Sequence, residues 1–182
     1  MHGIISLLPQ PHYDLVENIW QMLEEKCGLD GVLITPYPHF SWQISEEYLE
    51  PQTEEIVQNI VKETKPFKVR TNGLGIFSGP SPVIYIPIVK TPALNQLHQK
   101  IWKRLTPTSK GLHLLYSPQN WVPHITLIFR DKNQQAILHG LEILTFQSFD
   151  WEIEINNLSL AIQLENQVAT LGYRHGFIPK SQ

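Results

Sequence analysis

Cysteine is almost absent from this chain of 182 residues; Cys27 is the only one. A single thiol excludes an internal disulfide and any metal site built from several thiolates. Helical spacing from Leu15 puts Cys27 on or beside an apolar stripe, so packing rather than nucleophilic attack is its expected role. Charge is sparse too. Lys and Arg number 14 against 17 Asp and Glu, for a formal charge of -3 and a pI near 6.2. That balance does not suit a protein that coats nucleic acid by bulk electrostatics, although a small anionic ligand needs only local donors. No apolar run approaches the ~18 residues of a membrane span, so no membrane partner is expected. The start, "MHGIISLLPQPHYD", has neither a basic leader nor a long apolar core. A signal peptide is therefore not expected, and the cytoplasm is the expected location. The HExxH, GxSxG, P-loop and dinucleotide fingerprints are missing, and "NGLGIFSG" has the glycines without the pattern.

What is present is ordinary globular material, 42% hydrophobic and 17% charged, enough to bury a core within one domain or two small lobes sharing an interface. Ile4 to Leu8 reads as a short buried strand closed by Pro9 and Pro11. From Asp14 a helical period runs through Leu15, Ile19, Met22 and Leu23, and Gly28 is placed to stop it. A strand follows around His39, then a helix opened by Pro51. Phe67 to Phe77 reads as a strand interrupted at Gly73 and Gly75. Pro87, inside the run Val83 to Val89, predicts an edge strand or a bulge. Thr91 and Pro92 form an N-cap and first-turn pair for a helix through Leu105. Thr106 to Asn120 reads mostly as loop, a strand surrounds His124, and 133 to 144 reads as helix. Strands are expected at 151–155, 158–164 and 168–173.

Two of these strands carry unusual polar faces. Strand side chains alternate, so in "TPYPHFSWQISEEY" Tyr37, His39, Ser41 and Gln43 share one face, with Phe40, Trp42 and Ile44 opposite. In "NWVPHITLIFRD" His124 and Thr126 share a face, with Ile125, Leu127 and Phe129 opposite. A shift of 85 residues lays "PHFS" on "PHIT", and a shift of 84 lays "TNGLGIF" on "INNLSLA". The common order and offset argue for a duplicated α+β lobe. If a pseudo-twofold relates the lobes, two imidazoles and two hydroxyls converge on one groove. An imidazole titrates near neutrality, so one can take a proton while the other gives one. The hydroxyls can donate to phosphate oxygens on which charge develops. A lone strand histidine is more often structural than catalytic. His2, His12, His98, His113, His139 and His175 have no partner pattern and are expected to be structural or solvated. A zinc site at His39 and His124 needs a further ligand at suitable spacing, and neither an HExxH motif nor a cysteine pair offers one.

The paired H-x-[ST] strands, "PHFS" at 38–41 and "PHIT" at 123–126, with their separation and flanking elements, resemble the 2H phosphoesterase superfamily, the 2′-5′ RNA ligase-like and cyclic phosphodiesterase group. The resemblance spans nearly the whole chain. It implies an α+β, bilobal, duplicated fold, with two antiparallel sheets, helices on the outer faces and a central groove. Residues 1–182 would then form a single domain of two pseudo-symmetric lobes. The implied activity is opening of 2′,3′-cyclic phosphates of RNA ends or nucleotides, with no cofactor and no metal. Some relatives ligate or trim RNA instead. His39 and His124 are the expected catalytic pair, with His124 as general base toward water and His39 as general acid toward the leaving ribose oxygen; the roles exchange in the reverse reaction. Ser41 and Thr126 are the expected phosphate-binding hydroxyls, and Tyr37 a substrate-stacking ring. Trp42 stands where many members carry a smaller aliphatic residue; its parity points to the core, with base stacking as the alternative. Lys68 and Arg70 share a face open either to the groove or to solvent. An RNA-binding module without turnover and an unrelated hydrolase are the rival readings, and nothing in the sequence requires more than a monomer.

Overall fold

The computed structural model describes residues 1–178. The buried run Gly3 to Leu7 forms β1 (His2–Leu7). Helix α1 (His12–Cys27) begins after Pro11, earlier than its apolar period suggests, and Gly28 ends it with φ 67°, donating its N–H to the Glu24 carbonyl. Glycine meets no Cβ penalty in that left-handed region. The order then runs β2 (His39–Ser45), β3 (Glu47–Tyr48), α2 (Gln52–Lys62), β4 (Phe67–Arg70), β5 (Gly75–Phe77) and β6 (Val83–Pro87). It continues with α3 (Pro92–Leu105), β7 (Ser109–Lys110), β8 (His124–Ile128), α4 (Gln134–Thr145), β9 (Glu152–Ile155), β10 (Asn157–Ile162) and β11 (Thr170–Gly176). The side chain of Thr91 accepts the Leu94 N–H at the start of α3, and that of Asn133 accepts the Ala136 N–H at the start of α4. Each satisfies a donor that a helix terminus leaves free.

The fold is α+β and bilobal. One sheet has the order β11-β10-β1-β2; the other has β5-β6-β8 and is continued by the β4–β9 pair through a Thr71–Ile88 bridge. All the pairings are antiparallel. The chain crosses between the sheets. Strands β10 and β11, late in sequence, complete the sheet of β1 and β2, while β4 and β5 from the first half join β6 and β8. The helices cross as well: α1 lies against α4 and β8, and α3 against α2 and β2. Strands β2 and β8 are therefore edge strands of different sheets, brought side by side. Among the described residues no helix is long and apolar enough to cross a membrane.

Three local readings change. The expected strand 67–77 is two strands, because the ladder with β9 ends at Arg70 and Thr71 carries the pairing over to Ile88 while its N–H donates to the Trp151 carbonyl at 3.0 Å. Its buried hydroxyl donates to the Phe149 carbonyl and accepts the Trp151 N–H at 3.0 Å. Gly73, with φ 68°, then turns the chain. Pro87 marks neither an edge strand nor a bulge: β6 is flanked by β5 and β8, its register shift falls between Ile84 and Tyr85, and Pro87 is its last residue. The segment 106–120 holds two 3-10 turns and β7, and it walls the cavity described next.

Candidate active site

Between the facing edges of β2 and β8 lies a cavity of about 500 Å³. His39 and Ser41 enter it from β2, and His124 and Thr126 from β8. The alternation that predicted this holds at both motifs, with Phe40, Trp42, Ile125 and Leu127 buried behind them. It then fails on each strand. The pairing of β2 with β1 slips between Ile4 and Ile5, so that Ser41 faces Ile5 but Gln43 faces Ile4, and Trp42 is the extra residue. Beyond this bulge the faces swap: Ile44 lines the cavity, while Gln43 is buried and accepts a hydrogen bond from the Tyr48 hydroxyl at 3.1 Å. A bulge re-aims every later side chain on its strand. The pairing of β8 with β6 slips in the same way: Thr126 faces Tyr85, Ile128 faces Ile84 and Leu127 is the extra residue, so Phe129 lines the cavity too.

The two histidines enter their strands in the same way. Each follows a proline, and each directs Nδ1 at the carbonyl two residues back: His39 at Tyr37, and His124 at Val122 at 2.6 Å. A carbonyl only accepts, so Nδ1 carries the proton in both rings and Nε2 is left for chemistry. The carbonyls of Pro38 and Pro123 accept N–H groups from Leu8 and Ile88, both at 2.9 Å, which tie each motif to the strand beside it. Burial holds the His39 pKa down to about 4, helped by the nearby His124 charge and opposed by the Tyr37 hydrogen bond. Burial also lowers His124 from its ordinary 6.5, against the Val122 hydrogen bond. Aromatic rings do part of that desolvation: Phe77 meets His124 edge-on at 5.1 Å and Tyr85 lies tilted at 4.9 Å. The Tyr85 ring folds over Gly75, its cross-strand partner, where a Cβ would sit 2.3 Å from it.

The remaining residues singled out in the sequence fall outside this cluster. The Tyr37 ring packs on Ile5, Leu7 and Ala161 beside the cavity and is not among its lining residues. Lys68 and Arg70 face solvent, 66% and 68% exposed, and pair with Glu152 and Asp150 across β4 and β9. Trp42 is fully buried. Cys27 packs at the core margin, its Sγ 3.7 Å from His139 Nδ1. His98 is buried and His175 pairs with Glu54 at 2.9 Å. His113 lies in the cavity wall, where its sequence context gave no reason to put it.

Several wall residues were not legible as site residues: Trp20, Phe77, Tyr116 and Trp121. The Tyr116 phenol, raised in pKa by burial, feels the Ser41 hydroxyl beside it. The indole N–H of Trp121 donates to the Ser41 carbonyl at 2.9 Å, and that of Trp20 to the Thr126 carbonyl at 3.0 Å. Trp121 had one available signal, its place in "NWVPH" three residues before His124. Trp20 had none, since an indole that donates and one that only packs have the same helical spacing.

A sequence profile of the 2′-5′ RNA ligase superfamily matches residues 31–167, which include both motifs. A curated protein of Oceanobacillus iheyensis, named provisionally as a phosphoesterase, is 29% identical over 131 residues, covering 72% of each chain. Among solved structures, TT0787 of Thermus thermophilus superposes with a TM-score of 0.65 at 15% identity over 97% of both chains. E. coli LigT, crystallised with 3′-AMP, gives 0.61 at 13% identity over 97% of this chain and 99% of its own. The profile covers most of the chain, and the chain belongs to the 2′-5′ RNA ligase superfamily of 2H phosphoesterases.

Proposed function

We propose that the protein hydrolyses 2′,3′-cyclic phosphates of nucleotides or RNA ends by two-histidine acid–base catalysis without a metal. The observation that carries this reading is the pair of imidazoles in one cavity, each with Nδ1 fixed on a backbone carbonyl and each beside a hydroxyl. In the reaction a water oxygen bonds to phosphorus, one P–O bond to the ribose breaks, and a nucleoside monophosphate is released. One imidazole takes the water proton and the other protonates the departing ribose oxygen. Ser41 and Thr126 hold the non-bridging oxygens, where negative charge builds in the transition state. Support for the substrate class comes from E. coli LigT, whose crystals hold 3′-AMP. A nucleoside 3′-phosphate is one of the two products that such a ring can give.

The electrostatics favour reversing the roles expected from sequence. Burial holds His39 near 4, and the charge of His124 is among the causes that lower it, so a single shared proton placed on His124 keeps His39 neutral. His39 is thereby the base in hydrolysis and His124 the acid. The test is turnover of a 2′,3′-cyclic mononucleotide in EDTA, with wild type, His39→Ala and His124→Ala side by side. Each variant should lose about 10²–10⁴-fold in rate while keeping its circular dichroism. Activity that vanishes in EDTA and returns with zinc or magnesium would sink the mechanism, as would a near-normal rate in either variant.

A further inference from the structure

Edge strands expose backbone groups that no neighbouring strand pairs, and both strands that carry the site are edges of their sheets. At β2 the bulge makes this acute, because Trp42 has no partner opposite it in β1. Two donors from the second half of the chain meet that gap. Trp121 donates its indole N–H to the Ser41 carbonyl at 2.9 Å, and His98 directs Nε2 between the Trp42 carbonyl at 3.1 Å and the Tyr116 carbonyl at 3.0 Å. The two rings stack on each other at 3.8 Å and 7°, and both residues are about 98–99% buried. At β8 the arrangement is returned from the first half: Trp20 of α1 donates to the Thr126 carbonyl at 3.0 Å and is 4% exposed. Each indole bond ends on the residue whose hydroxyl faces the cavity.

We propose that Trp121, backed by His98, and Trp20 are positioning residues that clamp the Ser41 and Thr126 strands from across the cavity and so aim the two hydroxyls at the reacting phosphate. The proposal rests on the phosphate-holding role given above to those hydroxyls. A side chain can reach a transition-state oxygen only if its backbone is held to a fraction of an ångström, and without such a donor each carbonyl would be a buried acceptor free to shift. The clamp is reciprocal: the hydroxyl of each half of the chain is held by an indole of the other half.

Crossed double-mutant cycles test it on the full chain with a 2′,3′-cyclic mononucleotide. Trp121→Phe keeps a ring against His98 and removes the donor together with part of the buried ring, a packing loss that the cycles separate out. It should lower kcat about ten-fold and leave KM within about two-fold. That loss should disappear in a Ser41→Ala background and persist in Thr126→Val, and Trp20→Phe should show the opposite pairing. A loss of equal size in all backgrounds would show a general packing effect and overturn the proposal. So would an unchanged kcat in both indole variants when Ser41→Ala and Thr126→Val are impaired. If the hydroxyl variants themselves are unimpaired, the phosphate-holding role falls and takes the clamp with it. Calorimetric titration with inorganic phosphate reads the same couplings as affinities should the nucleotide not turn over. Trp20→Phe carries the test alone if Trp121→Phe does not fold.

Discussion

His39 and His124 are both short of protons at neutral pH, one held near 4 and the other below 6.5. With His39 as base and His124 as acid, the competent free form has the first neutral and the second charged. That form is lost as pH falls through the His39 value and as pH rises through the His124 value. The kcat/KM profile should therefore be a bell centred on the acid side of 6.5, displaced from the neutral optimum that unperturbed imidazoles would give. A bound phosphate anion favours both protonated rings, so the kcat profile should lie at higher pH. Initial rates across pH 3.5 to 9 check this, and a kcat/KM optimum near pH 8 would refute the assignment. The histidines and hydroxyls were legible because two H-x-[ST] pairs on strands put both groups on one face by parity alone. Gln43 and Phe129 were misjudged because parity assumes an unbroken ladder, and neither the bulge at Trp42 nor the one at Leu127 has a sequence signature of its own. His113 was missed for a different reason: its position in the wall depends on how the connection from Leu105 to His124 folds back, which no periodicity encodes.

At the scale of elements, the short strand β5 acts as a support for the second motif. Gly75 lets the Tyr85 ring lie flat across it, Phe77 stacks on that ring at 4.2 Å, and both rings face His124. A methyl group at 75 cannot coexist with the ring where it stands. Gly75→Ala should destabilise by about 1–3 kcal/mol, as overpacking does. It should also admit water around His124, and less desolvation means a higher imidazole pKa. The alkaline limb of the rate profile should accordingly move up in pH while the acid limb, set by His39, stays. Thermal denaturation and the pH profile of the one variant read both effects; an unmoved alkaline limb would mean that the aromatic support does not desolvate His124. The helices were legible almost to their ends, since Thr91, Pro92 and Gly28 act through local backbone chemistry. The break of 67–77 into β4 and β5 was visible as glycines, but the change of partner at Thr71 was not, because Ile88, Phe149 and Trp151 are distant in sequence.

For the whole molecule, the motif pair and the α+β alternation pointed to the family and its two-sheet architecture. Which strand joins which sheet was not readable. Sequence similarity between the halves suggests that each builds its own sheet, yet β1 is flanked by β2 and by β10, and β4 pairs with β9. A chain stopped after Asp150 lacks β9, β10 and β11, so β1 has one neighbour instead of two and the Asn157 amide no longer bonds both backbone groups of Leu7. Such a truncate should show no protease-resistant core under conditions where the full chain resists. A stable 150-residue fragment in limited proteolysis would contradict the exchange of strands as a folding requirement.

The crossing of strands between sheets also bears on the chain while it is being made. Synthesis runs from the N-terminus, and pairings this remote in sequence close slowly, because the loop entropy is lost before the contact rewards it. Strands β1 and β2 are made early and can pair with each other, but β10, which covers the other edge of β1, begins more than a hundred residues after Trp42 in the chain. The nascent chain must carry that edge of β1 unpaired through most of its own production, the interval in which misassembly and recruitment of chaperones occur. Strands β6 and β8 can pair as soon as His124 to Ile128 are made, whereas the sheet behind His39 is complete only when β10 and β11 arrive, so the two walls of the cavity mature at different times.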